Sequence, residues 1–200
     1  MMDELTGQGR RKAPERWSRT LSHILSPAGI AVLVLVCLTV TGKLGLAGML
    51  TGAAFYVLVP AIVLLGMARR SGSADVYDPS PRIRQWMLLS GTICYLLGYV
   101  VVVNFHLHPD LRWAGATFAA GATAVLVIDR VWKVSIHNTG AGGGLVLLAG
   151  FAPDLWPLWC MLPVVVGWAR WHQRAHDLGQ LVGGSILGAS LAWLLRGLFQ

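Results

Sequence analysis

Charged side chains are scarce in this sequence. They make up 12% of its 200 residues, whereas about a quarter is usual in a soluble domain. Hydrophobic residues make up 55%, the mean hydropathy is +0.61, and apolar runs recur along the whole chain. Several of these runs approach the ~20 residues that a helix needs to cross a bilayer. The composition therefore excludes an ordinary soluble enzyme and predicts an integral membrane protein with little or no soluble domain.

Cysteine is also scarce. The three cysteines, Cys37, Cys94 and Cys160, each lie inside an apolar run, and no C-x-x-C pair occurs. This pattern gives no sign of a disulfide framework or of a cysteine-based metal site. We expect free thiols buried among helices, and neither a bound metal nor another cofactor.

Acidic residues number nine against sixteen basic ones, which gives a formal net charge of +7. In a soluble protein such an excess would indicate a nucleic-acid partner. In a membrane protein, basic residues instead gather in cytoplasmic loops and contact anionic headgroups. We therefore expect membrane lipids, and no nucleic acid, as partners.

Hydropathy predicts an all-α fold, a polytopic transmembrane helical bundle of about six to seven membrane helices. The fifth and sixth apolar segments are short and meet at "APD", residues 152–154, which predicts a tight helical hairpin. Residues 1–26 are predicted to form a basic N-terminal tail, and residues 27–200 a single membrane domain. We expect the first apolar run to stay as an anchor, because no small-x-small cleavage site follows it. The seven segments are 27–42, 45–68, 85–105, 113–131, 138–152, 154–169 and 178–198.

The distribution of lysine and arginine predicts the orientation. If all seven segments cross, thirteen of these residues lie on the side of the N-terminus and three on the other side. Because positive residues accumulate on the cytoplasmic side, the N-terminus is predicted to lie in the cytoplasm of a multi-pass cell-membrane protein. Setting aside the four cations that are considered below as site residues still leaves nine against three.

Polar residues form three clusters that this topology places at one membrane face, the cytoplasmic one. Arginines and helix N-terminal N–H groups bind phosphate, and a histidine among cations suits phosphoryl chemistry as a nucleophile or an acid. The spacing of Gly184 and Gly188 in the last segment predicts close helix packing. The three clusters are Arg82 and Arg84; Lys133, Ser135 and His137; and the stretch "ARWHQRAHDLGQ" at 169–180.

The third cluster resembles the last signature of the type 2 phosphatidic acid phosphatase superfamily, S-R-x5-H-x3-D followed by a glycine-rich helix. Arg170 precedes His176 by six residues, Gln180 follows His176 by four, and "QLVGGSILG" continues the pattern at 180–188. "KVSIHNTGAGGG", residues 133–144, is similar to the middle P-S-G-H signature, with valine and isoleucine in place of proline and glycine. "PRIRQ", residues 81–85, is the best counterpart of the first signature, K-x6-R-P. The resemblance covers about residues 80–190.

The resemblance implies a role for each matched residue. His176 would be the nucleophile that takes the phosphoryl group, and His137 would protonate the departing oxygen. Fixed cations would neutralise the phosphate without a metal ion. The implied phosphate ligands are Arg170, Lys133, Ser135 and either Arg82 or Arg84.

The resemblance also implies a substrate class, a phosphomonoester or diphosphate on a lipid or isoprenoid tail. The predicted cytoplasmic position of the site favours an isoprenoid phosphate or diphosphate, since newly made prenyl diphosphates are released on that side. Water would normally resolve the phosphohistidine, but another acceptor would make the protein a lipid-phosphate transferase. The sequence leaves these two acceptors open.

One departure from the family affects the nucleophile. The family places an aspartate where this chain has Gln180, which can orient His176 through a hydrogen bond but carries no charge. Catalysis could therefore be slower, or Asp177 could substitute from the neighbouring position. A third possibility is a site that binds phosphate without turnover, in a non-catalytic membrane protein that holds anionic lipid or a partner.

Two further alternatives involve a metal ion. Asp75 and Asp78 are three residues apart and could hold Mg²⁺ against a diphosphate, although aspartates near a proline usually form turns. His106 and His108 form an "HLH" pair on the opposite membrane face, without the further ligands that a zinc site requires.

Overall fold

The computed structural model describes residues 16–70 and 81–199, and within these ranges the regular structure is helical. Each of the seven predicted apolar segments coincides with a helical unit. A short helix, α1, precedes them and lies within the segment expected to be a tail. A π-helical turn, Ala54–Leu58, joins α3 to α4. The helices are α1 (Arg16–Ile24), α2 (Pro27–Val40), α3 (Leu46–Ala53), α4 (Val59–Arg70), α5 (Pro81–Asn104), α6 (Pro109–Ile128), α7 (Ile136–Phe151), α8 (Trp156–His172) and α9 (Leu178–Arg196).

Four helical units of the described chain are long and apolar enough to cross a membrane. A fifth span is possible if α1 and α2, which meet at a bend of 53°, form one broken span. The protein is therefore an all-helical protein compatible with several membrane crossings, and the expected six to seven spans are not confirmed. The difference arises because α7 and α8, with 16 and 17 residues, are separated by the short 3₁₀ turn Pro153–Leu155. The four units are Leu46–Met67, Pro81–Asn104, Pro109–Ile128 and Leu178–Arg196.

Helix α7 lies at the centre of the bundle, packed against α2, α6, α8 and α9. Its contact with α9 is a backbone contact that only glycine permits. A Cβ atom added at Gly188 would lie 1.9 Å from the Thr139 carbonyl oxygen, and one added at Gly142 would lie 2.1 Å from the Ser185 carbonyl oxygen. The predicted close packing through Gly184 and Gly188 is confirmed, and it fixes the start of α9 beside the start of α7.

Helix α1 packs against the last turns of α8. The indole of Trp17 stacks on that of Trp168, with ring centroids 4.3 Å apart, while Ser18 and Ser22 face inward and are buried. This contact brings α1 to the end of the bundle where α5, α7 and α9 begin and α6 and α8 end. We call this the histidine end, because His137 and His176 lie there. The other end, which holds Lys43, Asp110 and Arg196, is called the opposite end.

Candidate functional site

His176 lies in the short connection between α8 and α9, and only 6% of its surface is exposed. Its Nδ1 atom lies 2.8 Å from Oε1 of Gln180, in the first turn of α9. An amide oxygen only accepts hydrogen bonds, so Nδ1 carries the proton in this arrangement. The lone pair of the imidazole is then on Nε2. Gln180 thus selects the tautomer in which Nε2 can act as a nucleophile.

The charge state of His176 follows from its surroundings. Burial is the main cause that lowers its pKa, to about 4, and the nearby cations Arg170, Arg84 and Lys133 lower it further. The hydrogen bond to Gln180 opposes this shift but does not overcome it. At neutral pH the imidazole is therefore uncharged and keeps its lone pair, as a nucleophile requires.

Asp177 is the N-cap of α9. Its Oδ1 atom accepts a hydrogen bond of 2.8 Å from the backbone N–H of Gln180, and its side chain is exposed. Asp177 therefore does not take the place of Gln180 beside the imidazole. It fixes the first turn of α9 and so determines where the Gln180 side chain begins.

The second cluster lies at the start of α7. Ser135 is fully buried and caps the helix, with its Oγ atom 3.4 Å from the backbone nitrogen of Asn138. Its own N–H donates to the Gln180 carbonyl at 3.3 Å, which ties the start of α7 to the start of α9. His137 follows in the first turn, is 7% exposed, and interacts electrostatically with Arg170 and His176. The two histidines therefore belong to one polar cluster.

Arg170 lies in the last turn of α8 and is 3% exposed. Its Nη1 atom donates to Oε1 of Gln173 at 3.2 Å. Gln173 in turn donates through Nε2 to the Ser18 carbonyl at 2.7 Å and to Oγ of Ser22 at 2.8 Å. The position of Arg170 is thus linked to α1, and no motif in the sequence connects α1 with the site.

The structure distinguishes between the two arginines of the first cluster. Arg84 is half-buried, donates to the Val134 carbonyl at 3.0 Å, and interacts electrostatically with both site histidines. Arg82 is exposed and has no hydrogen bond or ion pair with the described residues. Arg84 is therefore the arginine that the fold brings to the cluster. Lys133 is exposed but close enough for its charge to influence His176.

Three residues of this region were missed by the sequence analysis. Asp129 accepts hydrogen bonds from Arg84, Gln173 supports Arg170, and Asn138 ties helices together. Asn138 donates to the Pro163 carbonyl at 3.2 Å and to Oγ of Ser185 at 3.1 Å. A carboxylate at the end of an apolar run was a usable signal for Asp129. Gln173 and Asn138 had no comparable signal, because an isolated amide side chain is common in polar loops and helix starts.

The two metal alternatives have different outcomes. Asp75 and Asp78 lie outside the described residues. His108 is the N-cap of α6, where its Nδ1 atom accepts a hydrogen bond of 3.2 Å from the backbone N–H of Asp110. Within the described ranges, no three histidine, cysteine or acidic side chains are grouped as a metal site would require. His108 therefore has a structural role as a helix cap.

No protein-family model, curated protein or solved structure matches this chain. The likeness to the lipid phosphatases therefore rests on the three sequence motifs alone. In chemical terms, the cluster offers an uncharged imidazole with a free lone pair, a second imidazole, and cations contributed by three helices or their flanks. Such a set can hold an anion and attack it.

Proposed function

We propose that the chain is an integral-membrane phosphatase that hydrolyses a lipid or isoprenoid phosphate or diphosphate through a phosphohistidine at His176. The observation that carries the proposal is the 2.8 Å contact between Nδ1 of His176 and Oε1 of Gln180, with the buried Arg170 close enough to interact electrostatically with the imidazole. It leaves Nε2 as an uncharged nucleophile next to a guanidinium. Resemblance to the phosphatidic acid phosphatases supports the same assignment.

In the first step, Nε2 of His176 attacks phosphorus and forms a P–N bond as the bond to the leaving oxygen breaks. His137 donates its proton to that oxygen, which leaves as an alcohol or, from a diphosphate, as a phosphomonoester. The negative charge of the bound phosphate favours the protonated form of His137. Arg170, Arg84 and Lys133 balance the charge on the phosphoryl oxygens. Ser135 can donate its hydroxyl to one of them.

In the second step, water attacks phosphorus and the P–N bond breaks. His137, now neutral, takes a proton from the water, so it is ready for the next cycle. Inorganic phosphate leaves, and His176 regains its lone pair. No electron transfer or metal ion takes part, and each proton has a named donor and acceptor.

Gln180 should make the phosphohistidine form more slowly than an aspartate would. The modified imidazole carries a positive charge, which a carboxylate stabilises and an amide does not. The same lack of charge weakens the P–N bond and favours its hydrolysis. We therefore expect a modest rate limited by the first step.

We also propose the finer topology. All seven apolar units would cross or enter the membrane, giving six to seven membrane helices, with the N-terminus and the site on the cytoplasmic side of the cell membrane. The cation excess at the histidine end supports this orientation. A site on the cytoplasmic side favours an isoprenoid phosphate or diphosphate as the substrate. A cysteine introduced beside His176 should then be labelled by reagents only from the cytoplasmic side, and labelling from outside would contradict the orientation.

A second candidate function is binding of an anionic lipid headgroup without turnover. The specific observation in its favour is Gln180, which occupies the position where the resembled family has its charged orienting residue. Under this hypothesis the cations would be the functional groups and His176 a buried polar neighbour.

Phosphate release from farnesyl diphosphate, undecaprenyl diphosphate and phosphatidic acid, measured in EDTA, tests these proposals. The full chain in detergent should be active on at least one substrate, and His176→Ala should lose activity by at least ~10³-fold. His172→Gln is the matched control, since His172 is exposed and stacks on Trp168. Equal activity of wild type and His176→Ala would contradict the proposal of a phosphohistidine intermediate. Loss of wild-type activity in EDTA would favour a metal at Asp75 and Asp78.

A further inference from the structure

Asp129 is the C-cap residue of α6, and its side chain is only 5% exposed. It accepts hydrogen bonds from two neighbouring side chains of α5. Nε of Arg84 lies 3.0 Å from each carboxylate oxygen, and Nη2 of Arg84 lies 2.7 Å from Oδ1. Nε2 of Gln85 lies 2.9 Å from Oδ2. Both oxygens of this nearly buried carboxylate thus accept hydrogen bonds from the first turn of α5.

The position of this carboxylate is unfavourable for the helix itself. The C-terminal end of a helix carries a partial negative charge, so an acidic side chain is repelled there. The end of α6 does not need the carboxylate, because the backbone N–H of Asp129 already donates to the Val125 carbonyl at 2.9 Å and that of Arg130 donates to the Val127 carbonyl at 3.4 Å. A neutral side chain would end the helix equally well. The reason for an aspartate must therefore be sought in the groups it binds.

The effect of Asp129 on Arg84 is to fix one edge of the guanidinium. Nε and Nη2 face the carboxylate, and Nη2 also reaches the Val134 carbonyl, immediately before Ser135. Nη1 donates to none of the described side chains or carbonyls. The guanidinium also interacts electrostatically with His176. Arg84 is therefore held rigidly while one nitrogen keeps its donors for another acceptor.

We propose that Asp129 is a positioning residue for the phosphate site, which holds Arg84 so that Nη1 can donate to a phosphoryl oxygen. The inference rests on the proposed function. Asp129 does not touch the substrate, because its carboxylate would repel the phosphate. It acts through Arg84, whose long side chain would otherwise sample many rotamers at the exposed end of α5.

The competing explanation is that the ion pair only ties α5 to α6. A charge swap distinguishes the positioning role from this purely structural role. The double variant Arg84→Asp with Asp129→Arg keeps an ion pair but moves the guanidinium to α6. A positioning role predicts that the swapped protein recovers thermal stability relative to the single variants and remains as inactive as Arg84→Ala. Recovery of activity in the swapped protein would overturn the inference.

The quantitative test uses the full chain in detergent, with inorganic phosphate as the probe and the best substrate of the panel for turnover. Asp129→Asn should lower kcat/KM and weaken inhibition by phosphate by about 10- to 100-fold, the range found for supporting residues of other sites. Asp129→Glu should recover part of the loss. In an Arg84→Ala background, Asp129→Asn should have no further effect on either quantity. Additive losses would overturn the inference.

Asp110→Asn is the matched control, since it removes a carboxylate from an ion pair at the other end of the same helix. It should lower the thermal midpoint and leave phosphate inhibition unchanged. If wild type turns over a substrate and Asp129→Asn matches it in kcat/KM, only this inference fails. If wild type shows neither turnover nor a phosphate-dependent rise in thermal midpoint, the proposed function fails and the inference fails with it.

Discussion

Helix α6 has a carboxylate at each end, and the two carboxylates are used differently. Asp110, in the first turn, pairs with Lys43 at 2.9 Å, and the partial positive charge of the helix N-terminus favours it. Asp129, at the C-cap, pairs with Arg84 at 2.7 Å, where the helix dipole opposes it by about 0.3–1 kcal/mol. Local electrostatics therefore favour the Asp110–Lys43 pair. The helix dipole opposes the Asp129–Arg84 pair, and the arginine of that pair interacts with two histidines.

The cations at the two ends differ in the same way. At the opposite end, Arg112 donates to the Leu107 carbonyl at 2.6 Å, and Arg196 lies over the Trp113 ring at 5.7 Å from its centroid. Each serves a neighbouring backbone or aromatic group. At the histidine end, the charges of Arg170 and Arg84 act on imidazoles that can take part in chemistry. Charge alone therefore does not identify a site, and the groups that surround the charge do.

Among the differences between the two ends, the largest expected effect is a contrast between two arginines. Arg170→Ala should lower kcat/KM by about 10²–10³-fold, because it removes a buried donor for the phosphoryl oxygens. Arg196→Ala should leave kcat/KM within ~3-fold and affect only stability, since Arg196 lies at the opposite end, over the Trp113 ring. Phosphate release measures both, and Arg170→Lys controls for loss of charge. Equal losses in the two alanine variants would break the contrast between the ends.

The next effect concerns pH. Because the pKa of His176 is lowered to about 4, its lone pair should remain available well below the usual histidine range, and activity should fall only as pH approaches 4. In Gln180→Glu, a carboxylate would stabilise the imidazolium and raise that pKa, so the acidic limb should move to higher pH by about one unit or more. Comparing the pH profiles of the two proteins cancels the titration of the substrate. An acidic limb that stays in place would contradict the role of Gln180.

A smaller effect is expected from the ion pair at the opposite end. Lys43→Met leaves the buried Asp110 without its partly exposed cation, and should cost about 1–2 kcal/mol, between the values for exposed and buried pairs. Thermal unfolding in detergent measures the loss, and kcat/KM should not change. A fall in kcat/KM at unchanged stability would show that the opposite end also serves the reaction.

The smallest effect separates two helix caps. His108→Ala and Asp177→Ala should each cost about 1 kcal/mol, since each removes the side chain that accepts from the first turn of its helix. Only Asp177→Ala should also slow turnover, because it loosens the helix start that carries Gln180. Asp177→Asn should restore both properties, since asparagine caps as well as aspartate. Failure of Asp177→Asn to restore turnover would indicate that the charge of Asp177 matters to His176.

Much of the fold could be predicted because it depends on hydropathy. The seven apolar segments coincide with helical units, since a run of apolar residues indicates a segment that is buried in the membrane or in the protein core. The number of spans could not be predicted in the same way. Helices α7 and α8 are 16 and 17 residues long, and length at this margin does not decide whether a helix crosses. Helix α1 was missed because its charged face resembles a tail.

The site was partly predictable for a related reason. His137, Arg170, His176 and Gln180 stand out by spacing within two short stretches. The sequence could not predict that Arg84, and not Arg82, joins the cluster, because two residues on one helix turn differ only in the direction they face. Gln173 depends on a contact with Ser22, about 150 positions away along the chain, and no local pattern reports such a pair.

The sequence by itself determined the membrane character, the positions of the helical units and the residue types of the proposed phosphate site. These properties depend on composition and short spacing, which the chain carries locally. Only the tertiary structure decided that Gln180 bonds to His176, that Asp177 caps instead, and that Asp129 fixes Arg84. The physical reason is that hydrogen bonds act over about 3 Å, so their partners are set by how helices pack. That packing depends on contacts such as Gly188 against Thr139, which join residues far apart in the chain.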